Sequence, residues 1–460
     1  MGKKMGKMMG KMNREIGLDT GKSWFLYIGE IKAAGLNRFL IEPLTRRYGK
    51  PAECIHIVPD VLAFYPDDAF LIIGPGSDQA GPDSLERKNS RIAVPQFAAM
   101  VSADEAVKDL VKRILDVQGE LLLNVFEASS ELSLTADYRV KIIAPDPEIA
   151  LSMNNKLHQY DMAAHLNIPV PKGSVCSGLS EALSYAEGIF SRGCRAFVSG
   201  AYSAGGSDSI VASTSAEIAS RFQAATGGLL VTEFVEHRHD PTVLGVVAGE
   251  NDVYIASVAD QNITGTRFLG STFPTVLGEE AISKVKEITW IVGNHMGSKG
   301  YRGVFGCDYI VDDQEEIYFI EVNARKQGTT METTLAMIHN LPGKPTFPEL
   351  ELMAVLDGRL PDDLEEMDSA NSPLCWGTYN YKAADECMVE HYVPLSMDEE
   401  SLFIEAMAGR GGHIVLDHVG PKTRISAGGF VARIVATGPT PDDVRKGLKA
   451  GARQVHTSIK

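Results

Sequence analysis

From Trp24 to about Pro147 the chain repeats one pattern: short apolar runs, WFLYIG, ECIHIV, AFLIIG, ELLLNVF and VKIIA, alternate with helix-like stretches. That rhythm commits residues 20–150 to an α/β domain with a mostly parallel sheet. Gly74, Gly76 and Gly81 follow the third run, but their spacing departs from the GxGxxG of a dinucleotide fingerprint, and they are read as a turn.

A chain of 460 residues exceeds what one hydrophobic core supports, so roughly two to four domains are expected. With 44% hydrophobic and 23% charged residues it has a globular composition, which excludes disorder and fibrous repeats. No run approaches the roughly 18 apolar residues of a membrane span, and the start lacks a secretory signal; a cytoplasmic protein without a membrane partner is expected. The 44 basic and 60 acidic side chains leave a formal charge of -16, the wrong sign for phosphate backbones, which argues against nucleic acid. Cys54, Cys176, Cys194, Cys307, Cys375 and Cys387 form no CxxC or Cys/His pair and read as free thiols in a reducing compartment. The opening MGKKMGKMMGKMNR is basic, but its glycines oppose a membrane-surface helix, and Gly6 stands where a myristoylation signal needs Ser or Thr. Residues 1–19 are expected to be a flexible tail without an assigned role.

A second region begins near Leu151, where SMNNKLHQYDMAAHLNIPVPKG reads as a helix with a proline-punctuated stop. Strand RAFVSG, the small-residue loop AYSAGGSDS, a helix from about Ser215 to Ala225, and strands GLLVTEFV and PTVLGVVAG come next. A helix near Ala281 to Met296 keeps Ile282, Val285, Ile288, Val292 and Met296 on one face. VFGCDYIV and IYFIEVNA then flank Asp312 to Glu316 as a hairpin. From residue 346 a third, α+β region runs to the end, closing on a helix that Thr440 caps and Pro441 opens.

The hairpin carries the chemistry. Side chains alternate along a strand, so Glu321 and Asn323 project to one side, and Asp308 joins them if the register allows. Buried carboxylates at such range repel and lose hydration unless a cation compensates. Mg2+ is the natural answer, with Mn2+ as a substitute, because it prefers oxygen ligands and takes one or two protein carboxylates. The plainer reading makes them solvated acids on an open sheet face. Arg325 and Lys326 follow directly, placing cations where a transferred phosphate needs neutralising.

Asp308 on one strand and Glu321-Val-Asn323-Ala-Arg325 on the next resemble the metal-binding signature of the ATP-grasp superfamily, and other segments fall in that family's order. The resemblance implies an α/β ATP-grasp architecture: an N-terminal α/β domain at 20–150, a two-part nucleotide- and metal-binding domain at 151–345, and a small α+β domain at 346–460. ATP and Mg2+ are the implied cofactors. Lys156 then reaches the ATP phosphates, the loop Ser203-Ala204-Gly205-Gly206-Ser207 covers them, Glu233, Phe234 and Val235 grip adenine, and Asp240 holds the ribose. Asp308, Glu321 and Asn323 bind metal, while Arg325, Lys326 and Arg267 supply charge for phosphoryl transfer. Two positions depart from the pattern. Ser199 stands where the family commonly has a second lysine touching phosphate and adenine. Gly306 stands where many members have an arginine, a charge that Arg267 either replaces or, as a surface residue, does not.

The implied reaction activates a carboxylate as an acylphosphate and joins it to an amine. Gly328, Thr329 and Thr330 precede TMETTLAMIHN, whose free amides either receive the carboxylate of an amino acid or peptide or are simply capped. Small-molecule carboxylate and amine substrates are therefore expected, an amino acid or peptide among them. GGFVARIVATGPTPDDV looks like the trailing domain of biotin carboxylase and purine-pathway relatives. A homodimer is compatible with all of this. Two alternatives stand beside ligation: a kinase of a small-molecule hydroxyl with the same architecture, and, because of Ser199, a nucleotide-binding regulatory protein with little turnover.

Overall fold

Strand β1 (Ser23–Ile28) sends Trp24, Leu26 and Ile28 into one apolar cluster and Phe25 and Tyr27 to the opposite side, so the sheet around it is covered on both faces. The computed structural model describes residues 16–59, 69–73, 87–88, 92–202, 208–367, 372–389, 399–417 and 423–459. Gly74, Gly76, Gly81 and most of the basic tail lie outside them. β1 is the centre of a five-stranded parallel sheet with β2 (Ala52–Val58), β3 (Ala69–Ile72), β4 (Leu121–Val125) and β5 (Val140–Ile143), in the order β3-β2-β1-β4-β5. The chain moves outward from β1 through β2 and β3 and restarts at β4 on the other side, so a topological switch point falls between β1 and β4. Helix α1 (Arg38–Tyr48) packs Leu40 and Leu44 beside Phe25, while α2 (Val94–Ala103) and α3 (Glu105–Gln118) cover the opposite face. The Asp104 carboxylate accepts from the amides of Ala106 and Val107, which starts α3.

The single helix expected from Leu151 is two. α4 (Pro147–Met153) ends before Asn154, and α5 (Lys156–His165) starts after Asn155, whose side chain turns onto the amides of Leu157 and His158. A small antiparallel sheet follows, formed by β6 (Gly173–Cys176), β7 (Ala196–Gly200), β8 (Ser209–Ala212) and β9 (Leu229–Glu233) in the order β6-β9-β7-β8. Ala196 and Val198 pack against α6 (Leu179–Phe190) and α7 (Ser215–Phe222), which turns Phe197 and Ser199 to the other face.

Nine strands make the largest sheet: β10 (His237–His239), β11 (Pro241–Gly249), β12 (Asp252–Thr264), β13 (Arg267–Phe273), β14 (Gly303–Asp312), β15 (Ile317–Asn323), β16 (Cys375–Lys382), β17 (Gly412–Asp417) and β18 (Phe430–Gly438). They run β10-β14-β11-β12-β13-β16-β18-β17, with β15 also paired to β14, every pair antiparallel. One face buries Val285, Ile288, Val292 and Met296 of α8 (Glu279–Ser298) against Val243, Val247 and Phe305. The other buries Leu244, Val246 and Ala256 against α9 (Thr330–Asn340), α10 (Phe347–Leu356) and α11 (Glu399–Met407). α12 (Pro441–Thr457), capped by Thr440 as expected, packs Val444 beside Ala436. Among the described residues no helix is long and apolar enough to cross a membrane.

The sheet continues across residue 345 because β13 pairs with β16, Phe273 opposite Trp376, their rings stacked with centroids 5.8 Å apart. Close approach here depends on Gly270: its φ is +152°, and a Cβ would lie 2.0 Å from the Thr378 carbonyl oxygen. Gly270→Ala should therefore cost about 2–4 kcal/mol of stability, read from urea unfolding followed by circular dichroism. An unchanged midpoint would mean that the two strands have room to part.

Candidate active site

The β14–β15 register sets Asp308 opposite Glu321 and Gly306 opposite Asn323, so the two acids and the amide share one face. Asn323 Nδ2 donates to Asp308 Oδ2 at 3.0 Å and lies 3.4 Å from Glu321 Oε1. From β11, on the other side of β14, Thr242 Oγ1 donates to Asp308 Oδ1 at 2.7 Å. Burial first, and then the charge of Glu321, pushes the Asp308 carboxyl up to about 7. Glu321 suffers the same burial, yet the Lys156 ammonium and the Arg325 guanidinium hold it below the usual carboxylate range. The pair thus carries a full charge on Glu321 and a titrating one on Asp308 near neutrality.

Lys156 reaches Glu321 from the first turn of α5 as a direct ion pair, with 14% of its side chain exposed. Its backbone N–H donates to the Ala201 carbonyl at 2.9 Å, tying the helix start to the end of β7. The same helix fixes the outer edge of β15. Buried Gln159 accepts from Val322 N at 3.0 Å and donates to Val322 O at 2.8 Å, pairing with the edge much as a neighbouring strand does, and Asn154 Oδ1 accepts from Ala324 N at 2.8 Å. The loop that breaks α4 from α5 therefore delivers Lys156 and holds the strand carrying its partner.

Beyond β15 the cations separate. Arg325 Nη2 donates to Asn323 Oδ1 at 3.0 Å and Nη1 to the Lys326 carbonyl at 3.1 Å, with Glu127 3.7 Å from Nε. Lys326 leaves the acids: its ammonium donates to Val125 O at 2.7 Å, Asn124 Oδ1 at 3.1 Å and Glu351 Oε1 at 2.9 Å, and the residue is 3% exposed. All three of its donors are spent joining β4 to α10. Arg267 stands exposed at the β12–β13 turn. Gly306 has room for no side chain, because the Gln327 amide lies over it, 2.3 Å from where a Cβ would be.

The small sheet and its exit strand hold the remaining candidates. Ser199 is fully buried, with its Oγ lacking a hydrogen-bond partner. Glu233 ion-pairs with Arg192, and the Arg195 guanidinium lies 4.4 Å over the Phe234 ring. His237 bridges Val235 and Asp240: Nδ1 lies 2.8 Å from the Val235 carbonyl and Nε2 3.0 Å from Asp240 Oδ1. Its hydrogen bond to Asp240 raises the imidazole pKa. Ser203, Gly205, Gly206 and Ser207 lie outside the described residues.

Arg433 on β18 was not singled out by the sequence. It binds the fully buried Glu332 carboxylate of α9, both oxygens at 2.7 Å from Nη2, and donates to the Gly328 carbonyl. Thr329, 4% exposed, keeps an Oγ1 without a partner one residue ahead of α9. Among the described residues no three His, Cys, Asp or Glu side chains gather for a metal, so the hard-oxygen set is Asp308, Glu321 and the Asn323 amide. Two carboxylates and an amide at this range suit a small hard cation such as Mg2+.

Residues 153–329 match the family model described as an ATP-grasp domain. Among curated proteins, the L-propargylglycine–L-glutamate ligase of Streptantibioticus cattleyicolor is 29% identical over 109 residues, 24% of this chain and 22% of the relative. The formate-dependent phosphoribosylglycinamide formyltransferase of a Sulfurovum species is 31% identical over 119 residues, 26% of this chain and 30% of the relative. The chain thus spans under a third of the length of either. Likeness to solved structures is wider: biotin carboxylase of Campylobacter jejuni, in complex with β,γ-ATP, superimposes with TM-score 0.65 at 14% identity over 95% of this chain and 91% of that one. The ATP complex of carboxyaminoimidazole ribonucleotide synthase from Aspergillus clavatus gives 0.58 at 13% identity over 96% and 100%. At these identities the likeness is one of fold.

Proposed function

We infer that this chain, which belongs to the ATP-grasp superfamily through residues 153–329, is an ATP-dependent ligase that activates a carboxylate as an acylphosphate and joins it to an amine. The observation that supports this most is the placement of Asp308, Glu321 and Asn323 on one sheet face with Lys156 and Arg325 against them. Asp308, Glu321 and Asn323 would hold Mg2+, which when bound neutralises phosphate charge. Lys156 then exchanges Glu321 for the triphosphate. The substrate carboxylate oxygen bonds to the γ-phosphorus as the bond to ADP breaks; the amine nitrogen next attacks the acyl carbon, phosphate leaves, and the amine proton passes to solvent. Arg325, braced by Asn323, the Lys326 carbonyl and Glu127, steadies the acylphosphate. The Glu233–Val235 segment is assigned to adenine, Asp240 to ribose and residues 203–207 to the cover.

An amino acid or peptide is the proposed substrate class. The unpartnered Thr329 hydroxyl and the start of α9 offer donors to a carboxylate, and the named substrates of the Streptantibioticus relative support it. The test is phosphate release with Mg2+ and ATP across amino acids and dipeptides, followed by the product mass. A mass gain of one phosphate on a hydroxyl would establish the kinase instead, and release indifferent to every amine would end the ligase reading.

Acidity should weaken the metal site. Cation binding displaces the Asp308 proton, so Mg2+ affinity should fall about tenfold per pH unit below 7, measured by titration calorimetry. The metal-free protein has the opposite dependence: with the folded pKa raised from 3.8 to about 7, the stability that Asp308 contributes is complete below the unfolded value and lost as pH rises through 7. A flat affinity between pH 6 and 8 would remove Asp308 from the ligand set.

Ser199 motivates the low-turnover alternative. Ser199→Lys should lower the KM for ATP and leave kcat within about threefold, because Lys156 and Arg325 already supply charge. A hundredfold gain in kcat would identify the present chain as a nucleotide binder with a degraded site.

A further inference from the structure

Arg38 is a half-buried guanidinium with no acid to meet. It opens α1, at the end of the segment Ile31–Asn37 that follows the carboxyl end of β1. Its Nε and Nη2 are both shielded from solvent, and neither has a hydrogen-bond partner. The guanidinium carbon lies 4.7 Å over the Phe39 ring, which holds the group in place without satisfying its donors. Burying donors of a cation unpaired is costly, and an arginine is long enough to escape to water. The two unpaired nitrogens form the edge of the guanidinium that grips an oxyanion by parallel hydrogen bonds.

Its surroundings point to the reacting centre. Asn37, the preceding residue, accepts from Asn124 Nδ2 at 2.7 Å, and Asn124 Oδ1 accepts from Lys326, the neighbour of Arg325. Gly35 touches the first turn of α9, where a Cβ would lie 2.7 Å from Met331 Cε. Thr329, with its unpartnered hydroxyl, is two residues away from Met331. The free edge of Arg38 thus belongs to the seam between the loop at the β1/β4 switch point and the segment that carries Arg325. Ligands of open α/β sheets collect beyond the carboxyl ends of the strands at such a point.

We propose that Arg38 recognises the oxyanion of the substrate other than ATP: its Nε and Nη2 take a carboxylate of the molecule that occupies the switch-point crevice beside Arg325. The inference rests on the ligase reading for the word substrate. A phosphate shares the required chemistry, and the experiment separates the two.

The unfolding midpoint is measured for the wild type, Arg38→Met and Arg38→Lys with Mg2+ and a non-hydrolysable ATP analogue present, so that the nucleotide cleft is filled. Succinate, inorganic phosphate and uncharged succinamide are titrated at constant ionic strength. The wild type should be stabilised by succinate and not by succinamide. Arg38→Met should bind succinate at least about tenfold more weakly, and Arg38→Lys, which keeps the charge and loses the fork, should resemble it. Without anion, Arg38→Met should melt at or above the wild-type midpoint, because an unpaired buried cation is removed. A succinate response that survives in Arg38→Met, a wild type indifferent to succinate, or a lowered midpoint in anion-free Arg38→Met would each overturn the proposal. A response to phosphate alone would overturn the carboxylate assignment. The analogue's own stabilising effect reports on the nucleotide site, so the ligase reading and the role of Arg38 fail separately.

Discussion

Glu321→Gln should abolish magnesium-dependent ATP consumption, by about a thousandfold or more, in a protein that folds normally. Glutamine keeps the shape and the hydrogen bond from Asn323 while deleting the charge that holds Lys156 and would face the cation. The substitution also removes the second of the two causes that raise the Asp308 pKa, so Asp308 should titrate lower than about 7 in the variant. Phosphate release, Mn2+ binding and thermal unfolding measured side by side distinguish these effects. Turnover at the wild-type level would take Glu321 out of the metal site and the ligase reading with it.

The largest loss of stability should come from Lys326→Met, about 3–5 kcal/mol, because Glu351 is left as an unpaired carboxylate at 1% exposure. Burial already raises the Glu351 pKa against the pull of Lys326. Combining Lys326→Met with Glu351→Leu should recover most of the loss, since replacing a whole buried pair by apolar groups is far milder than breaking it. Urea unfolding of the four proteins in the cycle measures the coupling. A Lys326→Met protein as stable as the parent would show that the ammonium is not the tie between β4 and α10.

The hairpin bearing Asp308, Glu321 and Asn323 was legible because its chemistry follows a period of two, and the register then needed only one pairing to be right. Lys326 illustrates the limit of that logic. A sequence displays a charge and not its direction, and neighbours on an extended segment diverge, so sending Arg325 to the acids sends Lys326 away from them. Thr242, Asn154 and Gln159 were invisible for another reason: Gln159 meets Val322 across 163 residues, a match no local pattern encodes. The β12–β13 hairpin also went unread. Its Asp260 looks like a loop residue until Thr275 Oγ1 and Val276 N donate to it at 2.6 and 2.8 Å. Arg38 lay in an unremarked helix start, and nothing in its neighbours shows that two of its nitrogens go unmatched.

The pairing of β13 with β16 has a consequence for biosynthesis. Ser271 N reaches Thr378 Oγ1 across 107 residues, so while the polypeptide leaves the ribosome this rim of the sheet stays unmated until its distant neighbour has been made. Open rims of apolar strands recruit other chains, and a fragment ending at residue 345 should therefore self-associate, whatever its nucleotide cleft retains.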